Sequence, residues 1–390
     1  MSLLALLLVA TAACGSGDTG DGAALEWERA DAPCSYDSDV VPVFFTDAFF
    51  ALCVLDGTVW RSADGIVWEQ TGDLERYVRS GDPYLQSGGA FVFAATKSGL
   101  VVRTGSLLLF SSDGSSWSKG VLPVDAGFDY EDGFAAGGAG AIAVTSTHRT
   151  AWVSTDGKTY VETTVPQYDG TTTVHVTDDA FVLTAVELPI SRDDPLPGWS
   201  NVAWYSADGF GWDRTPPGPM LEEPFDLVDG MSMLGAYNRS QPIVSGSSGR
   251  YLAVATLLDL SLDQGSGQLG STVVRSPDGI TWTEADLGLA GEPVATATGG
   301  LGTLLVMHTQ SPIWWYSADG RTGWEQAPQE VSAPADNQLS EFPETEFGFE
   351  TGGFDIGSAD PDRYTMAVGA NAVVVFDRFR PGVLAVGTAK

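Results

Sequence analysis

The apolar positions of this chain fall in short runs broken at close intervals by Gly, Asp, Ser and Pro. Thr58-Val59-Trp60, Leu107 to Phe110, Ala151 to Val153, Val202 to Tyr205, Thr272 to Val274 and Ile313 to Tyr316 are examples. Brief runs rich in β-branched and aromatic residues, bounded by turn formers, predict strands. No long stretch carries a helical period, so the pattern predicts an all-β chain.

The runs are punctuated by one phrase used six times, Ser-x-Asp-Gly followed by an aromatic. Its fixed residues are Ser62, Asp64, Gly65 and Trp68; Ser111, Asp113, Gly114 and Trp117; Ser154, Asp156, Gly157 and Tyr160. The remaining copies hold Ser206, Asp208, Gly209 and Trp212; Ser276, Asp278, Gly279 and Trp282; Ser317, Asp319, Gly320 and Trp324, the last with one extra residue before its Trp. Two β-type runs joined by Asp-Gly predict a hairpin. Gly supplies the positive φ of the turn, while Ser and Asp oxygens accept from turn N–H groups that no strand partner satisfies. The aromatic is expected to begin the outgoing strand and to pack over the hairpin against its neighbour.

A second, small-residue turn recurs as Thr46-Asp47-Ala48-Phe49 and Thr177-Asp178-Asp179-Ala180-Phe181. Its relatives are Ser87-Gly88-Gly89-Ala90-Phe91, Ala136-Gly137-Gly138-Ala139, Gly246-Ser247-Ser248-Gly249, Thr298-Gly299-Gly300-Leu301 and Gly369-Ala370-Asn371-Ala372. A phrase recurring every 41 to 70 residues marks one supersecondary unit used many times. With four strands per unit, the small-residue turn joins the first to the second and the Asp-Gly turn joins the third to the fourth. The seventh unit then has strands near Tyr364–Val368, Ala372–Phe376 and Val383–Thr388, its Asp-Gly turn would begin at Lys390, and it lacks a fourth strand. Leu25-Glu26-Trp27-Glu28-Arg29, similar to Trp68-Glu69-Gln70, is expected to supply that strand and close a ring. The expected fold is a seven-bladed β-propeller of four-stranded antiparallel blades, with six blades as the alternative.

The Ser-x-Asp-Gly-aromatic turns resemble the Asp-box, or BNR repeat, of sialidase-like and sortilin-like propellers, with Asp and Gly adjacent where the usual form separates them by one residue. The resemblance spans residues 25–390 and implies the fold, with the boxes on the outer rim and away from any active site. A sialidase would add an arginine triad, a Tyr–Glu nucleophile pair, an acidic proton donor and an early Phe/Tyr-Arg-Ile-Pro stretch. Only Arg378-Phe379-Arg380-Pro381 echoes that stretch, in the last unit. His148, His175 and His308 lie in or beside β-like runs without metal-ligand spacing, and no nucleophile elbow or phosphate loop occurs.

Composition changes the picture in three ways. The repeats turn a length of 390 residues, enough for several domains, into one. A net charge of −32 excludes nucleic acid or an anionic membrane face as partner and suits solubility at a cell surface. At the N-terminus, the apolar Leu3 to Val9 and the small Ala10 to Ala13 precede Cys14, and a polar Gly15 to Gly22 stretch follows. This resembles a bacterial lipoprotein signal: residues 1–13 a signal peptide, Cys14 the lipidated residue, 14–24 a flexible tether and 25–390 the propeller. The expected location is the outer face of the bacterial cell membrane, with secretion as the alternative. Cys34 and Cys53, the two remaining cysteines, are expected to form a disulfide in an exported protein.

The third-to-fourth and first-to-second turns emerge on one face and are short. The long connections gather on the other, the expected binding face. One runs Val186 to Ser200 with Arg192, Asp193, Asp194 and Trp199; another runs Leu257 to Gly270 with Asp259 and Asp263. Pro216 to Gly230 and Ala327 to Asp362 are also long, the latter carrying Phe342, Phe347 and Phe349 among glutamates. Asp259 and Asp263 lack the regular oxygen spacing of a calcium loop; no cofactor is expected, calcium being the one candidate. The expected function is a monomeric protein-binding or assembly scaffold engaging an envelope protein or glycan. The alternative is a sialidase-like glycoside hydrolase or glycan-binding propeller.

Overall fold

The computed structural model describes residues 25–35, 38, 40–74, 77, 92–104, 107–122, 133–144, 150–166, 172–176, 179–187, 200–214, 245–247, 250–259, 267–276, 283–308, 312–328, 364–377 and 383–389. Strands and tight turns make up almost all of it. The first is β1 (Leu25–Asp31), followed by a sheet of β2 (Val40–Phe45), β3 (Ala48–Cys53), β4 (Thr58–Ser62) and β5 (Glu69–Asp73). The second sheet holds β6 (Val92–Ala95), β7 (Leu100–Thr104), β8 (Leu107–Ser111) and β9 (Ser118–Lys119). The third holds β10 (Gly133–Gly137), β11 (Gly140–Val144), β12 (Thr150–Ser154) and β13 (Val161–Thr164). In the fourth are β14 (Thr172–Val176), β15 (Phe181–Glu187), β16 (Ser200–Ser206) and β17 (Asp213–Arg214). The fifth follows with β18 (Ser245–Ser247), β19 (Arg250–Asp259), β20 (Gly267–Ser276) and β21 (Thr283–Glu284). The sixth has β22 (Glu292–Thr298), β23 (Thr303–His308), β24 (Pro312–Ser317) and β25 (Glu325–Gln326). Last come β26 (Tyr364–Val368), β27 (Ala372–Asp377) and β28 (Val383–Ala389), with β1 hydrogen-bonded alongside β28 in the order β1-β28-β27-β26.

Every pairing within these sheets is antiparallel. The first strands of successive sheets lie beside one another, from β14 through β10, β6, β2, β26 and β22 to β18. The fourth strands stand at the other edge, and β9, β17 and β25 are exposed throughout. Second strands are covered on both faces, which is why β3, β7 and β11 are buried along their whole length; β3 and β11 carry no polar side chain, while β7 ends in the buried Arg103 and Thr104.

The core lies between sheets and follows the two-residue period of the strand. Along β3, Phe49, Ala51 and Cys53 pack with Val374, Phe376, Leu384 and Val386 of the last sheet. The alternate Phe50 and Leu52 pack with Phe93, Leu100, Val102 and Leu109 of the second. Ile142 and Val144 meet Phe181 and Leu183 in the same way between the third and fourth sheets. Each of these Val, Leu, Ile and Phe side chains contributes about 1.5–3 kcal/mol by leaving water.

Several boundaries differ from the expectation. In the second sheet the first-to-second turn is Thr96 to Gly99, not Ser87 to Phe91, so the Val92–Phe93 run is a first strand. Thr96 closes that turn: its Oγ1 accepts from the Ser98 and Gly99 N–H groups while its own N–H donates to Gly99 O. The Ser87-Gly88-Gly89-Ala90-Phe91 stretch shares the small-residue composition of the other turns and lies outside the described residues. In all five described Asp-Gly turns the outgoing strand begins one residue after the aromatic, because the aromatic side chain folds back over the turn.

The last sheet shifts two expectations. In the first six sheets the Ser of each turn pairs with the first or second residue of a second strand, as in Phe49↔Ser62, Leu100↔Ser111 and Thr303↔Ser317. In the last sheet that place is held by Thr388, opposite Ala372, rather than by Lys390. The residue before each Ser pairs with the residue after the aromatic, as in Arg61↔Glu69 and Phe110↔Ser118. Its counterpart is Gly387↔Trp27, so Trp27 stands one position later than Trp68 and Glu26 takes the aromatic's place. Gly387 makes this possible: a Cβ there would stand 3.1 Å from the Trp27 ring.

Candidate functional site

The antiparallel order places the Asp-Gly turns and the first-to-second turns at one end of the sheets and the remaining connections at the other. At the first end, each of the five described Asp-Gly turns is internally bonded. Ser62 Oγ donates to Asp64 Oδ1 at 3.0 Å and accepts from Gly65 N at 2.8 Å. Asp64 Oδ1 accepts from the Ile66 and Val67 N–H groups at 2.9 and 3.0 Å, and Trp68 Nε1 donates to Gly65 O at 2.9 Å. The Ser111 turn repeats all of these bonds, and the Ser154, Ser206 and Ser317 turns repeat the Ser–Asp bond and the two N–H bonds to Asp. Ser62, Ser111, Ser154, Ser206 and Ser317 are all buried.

These bonds hold the carboxylates ionised. Partial burial would raise the Asp64, Asp156 and Asp319 carboxyls, but the converging N–H and hydroxyl donors outweigh it and all three lie below the ordinary value, Asp319 at about 2. At Asp113 and Asp208 the N–H bonds from Ser116 and Phe210 are the largest influence, and these carboxyls are lowered too. In each described turn one carboxylate oxygen, Oδ1, is taken up by the turn's own Ser hydroxyl and two N–H groups, so the arrangement reads as a structural clasp. The sixth copy has an extra residue, Gly323, at φ +60°, and its Ser317 hydroxyl hydrogen is shared between Asp319 Oδ1 at 2.9 Å and Thr322 O at 2.6 Å. Its buried Trp324 Nε1, like that of Trp212, has no hydrogen-bond partner.

The chain leaving β5, β9, β13 and β21 covers the next sheet's turn, a feature the sequence reading missed. Leu74 packs with Trp117, and Tyr77 OH donates to Trp117 O. Val121 exchanges backbone bonds with Lys158 O and Tyr160 N. Val165 joins the cluster of Trp212, and Ala285, Leu287 and Leu289 that of Trp324.

At the other end, Arg192, Asp193, Asp194, Trp199, Asp263, Phe342, Phe347 and Phe349 lie outside the described residues, as do Asp278, Gly279, Trp282 and Cys14. Asp259 is not in a loop: it ends β19 opposite Gly267. The strands intrude on both expected loops, since Val186 and Glu187 pair with Asn201 and Ser200, and Leu258 pairs with Gln268 past a register shift. The described residues of this end include a corner built on a Cys34–Cys53 disulfide. There Ser38 Oγ accepts from Leu55 N at 3.0 Å, Ser35 Oγ donates to Asp56 Oδ2 at 3.1 Å, and Leu55 is 69% exposed.

The described arginines stand on second, third and fourth strands or in turns: Arg61 on β4, Arg103 on β7, Arg214 on β17, Arg250 on β19, Arg275 on β20, Arg321 in a turn and Arg29 on β1. None stands on the neighbouring first strands β2, β6, β10, β14, β18, β22 and β26, where a central carboxylate-binding triad would be rooted. Among the described residues no group of three or more His, Cys, Asp or Glu is placed to hold a metal ion, and no helix is long and apolar enough to cross a membrane.

No protein-family description matches the chain, and no curated protein matches it in sequence. Among solved structures, a streptogramin B lyase aligns at TM-score 0.50 and 9% identity, over 94% of this chain and 98% of the lyase. YCF48 from Cyanidioschyzon merolae aligns at TM-score 0.45 and 13% identity, over 93% of this chain and 98% of that one. The WD40 repeats of RRP9 align at TM-score 0.44 and 9% identity, over 94% and 100%. The fold is a β-propeller, all-β and built of four-stranded antiparallel sheets.

Proposed function

We propose that this propeller is an exported scaffold that binds a protein partner through the end bearing the long connections. The observation that carries the reading is the contrast between the two ends. One is made of tight turns whose Ser hydroxyl and Asp Oδ1 bond within the turn. The other receives the connections from β17 to β18 and from β25 to β26, residues 215–244 and 327–363. Long connections on a rigid scaffold are where recognition concentrates. In this reading the β1–β28 pairing closes a ring of seven blades, the turns are a variant of the Asp-box, residues 25–390 are one monomeric domain, and residues 1–13 are a signal that leaves Cys14 lipidated on the outer face of a bacterial membrane. The acidic, Phe-rich insertion between β25 and β26 supplies the protein contact. The absence of arginine from the described first strands gives the sialidase alternative no support.

The test is in-cell crosslinking with mass spectrometry on the intact chain and on a form lacking Val331–Asp360, after circular dichroism shows that the shortened form folds. One defined partner captured by the first and lost by the second is the expected result. Equal capture by both, or none by either, overturns the reading.

A further inference from the structure

The register of β1 fixes where the N-terminal tether leaves the propeller, and therefore which end the anchor holds toward the membrane. Leu25 pairs with Ala389 and Asp31 with Val383. Ala389 is the end of a third strand, the end from which the Asp-Gly turns emerge in the other sheets. The chain thus enters β1 at the clasp end and runs toward the end of the Cys34–Cys53 corner, where Cys34 is already bonded to β3. Ten residues, 15–24, separate Cys14 from Leu25. A Gly- and Ser-rich chain of that length has a root-mean-square span of about 18 Å and reaches at most about 40 Å when fully extended. A domain the size of residues 25–390 has a radius of gyration of about 21 Å, so the tether is short relative to the body it carries.

We propose that the clasp end faces the membrane and that the end with the long connections is directed away from it, so that the partner is a soluble or surface-displayed protein rather than one embedded in the same bilayer. The inference rests on the lipid anchor and scaffold reading above. The charge distribution agrees with a stand-off geometry: with a net charge of −32 the body has no electrostatic reason to adhere to anionic headgroups and is held by its tether. The disulfide fixes the far end of the closing segment, so β1 cannot swing around to reverse the exit.

The test uses the full lipidated chain in vesicles doped with a headgroup-linked quencher. A fluorophore is placed at the clasp end through Ala63→Cys or Ala207→Cys, or at the opposite end through Ala290→Cys; all three sites are exposed. Quenching at the first two positions is expected to exceed that at the third by severalfold, and lengthening the tether by twenty residues is expected to erase the difference. Equal or reversed quenching in a chain whose N-terminal peptide carries the lipid by mass overturns the orientation alone. A chain without lipid overturns the orientation together with the anchor. Asymmetric quenching with no crosslinked partner leaves the orientation standing and removes the scaffold reading.

Discussion

Gly65 lies against Val374: a Cβ built on the glycine would stand 2.6 Å from the valine's Cγ1. The glycine belongs to the Asp-Gly turn of the first sheet and the valine to the last sheet, so the turn is a fitted contact between neighbouring sheets as well as a hairpin. Gly114 against Phe50, Gly157 against Val101 and Gly209 against Val153 repeat the relationship.

Gly65→Ala is therefore expected to cost about 2 kcal/mol or more, from a φ of +83° that L-residues resist and from displacement of Val374. Gly211→Ala, where nothing lies within 4 Å, is the control and should stay within about 0.5 kcal/mol of the parent. Urea denaturation of both decides it; equal midpoints would show that the turn does not need glycine.

The clasp carboxylates give stability a defined acid limit. A carboxyl lowered in the folded state binds protons more readily when unfolded, so its contribution is complete above the unfolded pKa and is lost as pH falls through the folded one. Asp319, held at about 2, is the clearest case. Asp319→Asn is expected to be less stable than the parent at pH 7, with the gap between the two constant down to about pH 4 and shrinking from there to about pH 2. Urea midpoints across that range measure the gap, and a gap that is unchanged at pH 2 contradicts the assignment.

The indoles of the turns are predicted to differ. Trp68→Phe removes a bond to Gly65 O and leaves that carbonyl without its donor, whereas the Trp324 nitrogen is buried with no partner. Trp68→Phe should therefore cost about 1 kcal/mol more than Trp324→Phe. If denaturation curves show the reverse order, the bonding seen at Trp68 does not contribute to stability.

Reduction of the Cys34–Cys53 bond should lower stability by about 3 kcal/mol in the chain-entropy account of a loop of this length. Cys53 is fully buried on β3, so Cys53→Ala adds a small cavity to that loss. A parent protein whose urea midpoint ignores reductant would place the bond outside the cooperative unit.

The repeat was legible because Ser, Asp, Gly and the aromatic each meet a separate demand of one turn, and those demands do not depend on the rest of the chain. The second-sheet turn at Thr96 was hidden because a hydroxyl can close a turn that elsewhere is made with Gly-Gly or Asp-Ala. Trp27 was misaligned by one residue because register is set by pairing along the whole of β28, and a lone aromatic does not report it. The cover of Leu74 over Trp117 joins two sheets, a distance relationship that local pattern does not encode.

The closing strand makes the last prediction. β1 pairs along all seven of its residues with β28, and Leu25 and Trp27 join the cluster of Leu304, Trp314 and Val375, with the Trp27 and Trp314 rings 5.8 Å apart. Removing residues 1–31 strips that cover and leaves the β28 edge with unpaired N–H and C=O groups, a template for another chain. The loss of Leu25 and Trp27 alone should remove several kcal/mol, at about 1.5–3 kcal/mol for each such side chain. The truncated protein is expected to associate in light scattering after gel filtration, and a peptide spanning residues 24–33 added in excess should return it to the monomer. A truncated chain that stays monomeric with the parent's urea midpoint would mean that the sheet is complete without β1, and that the pairing seen along β28 does not close the fold.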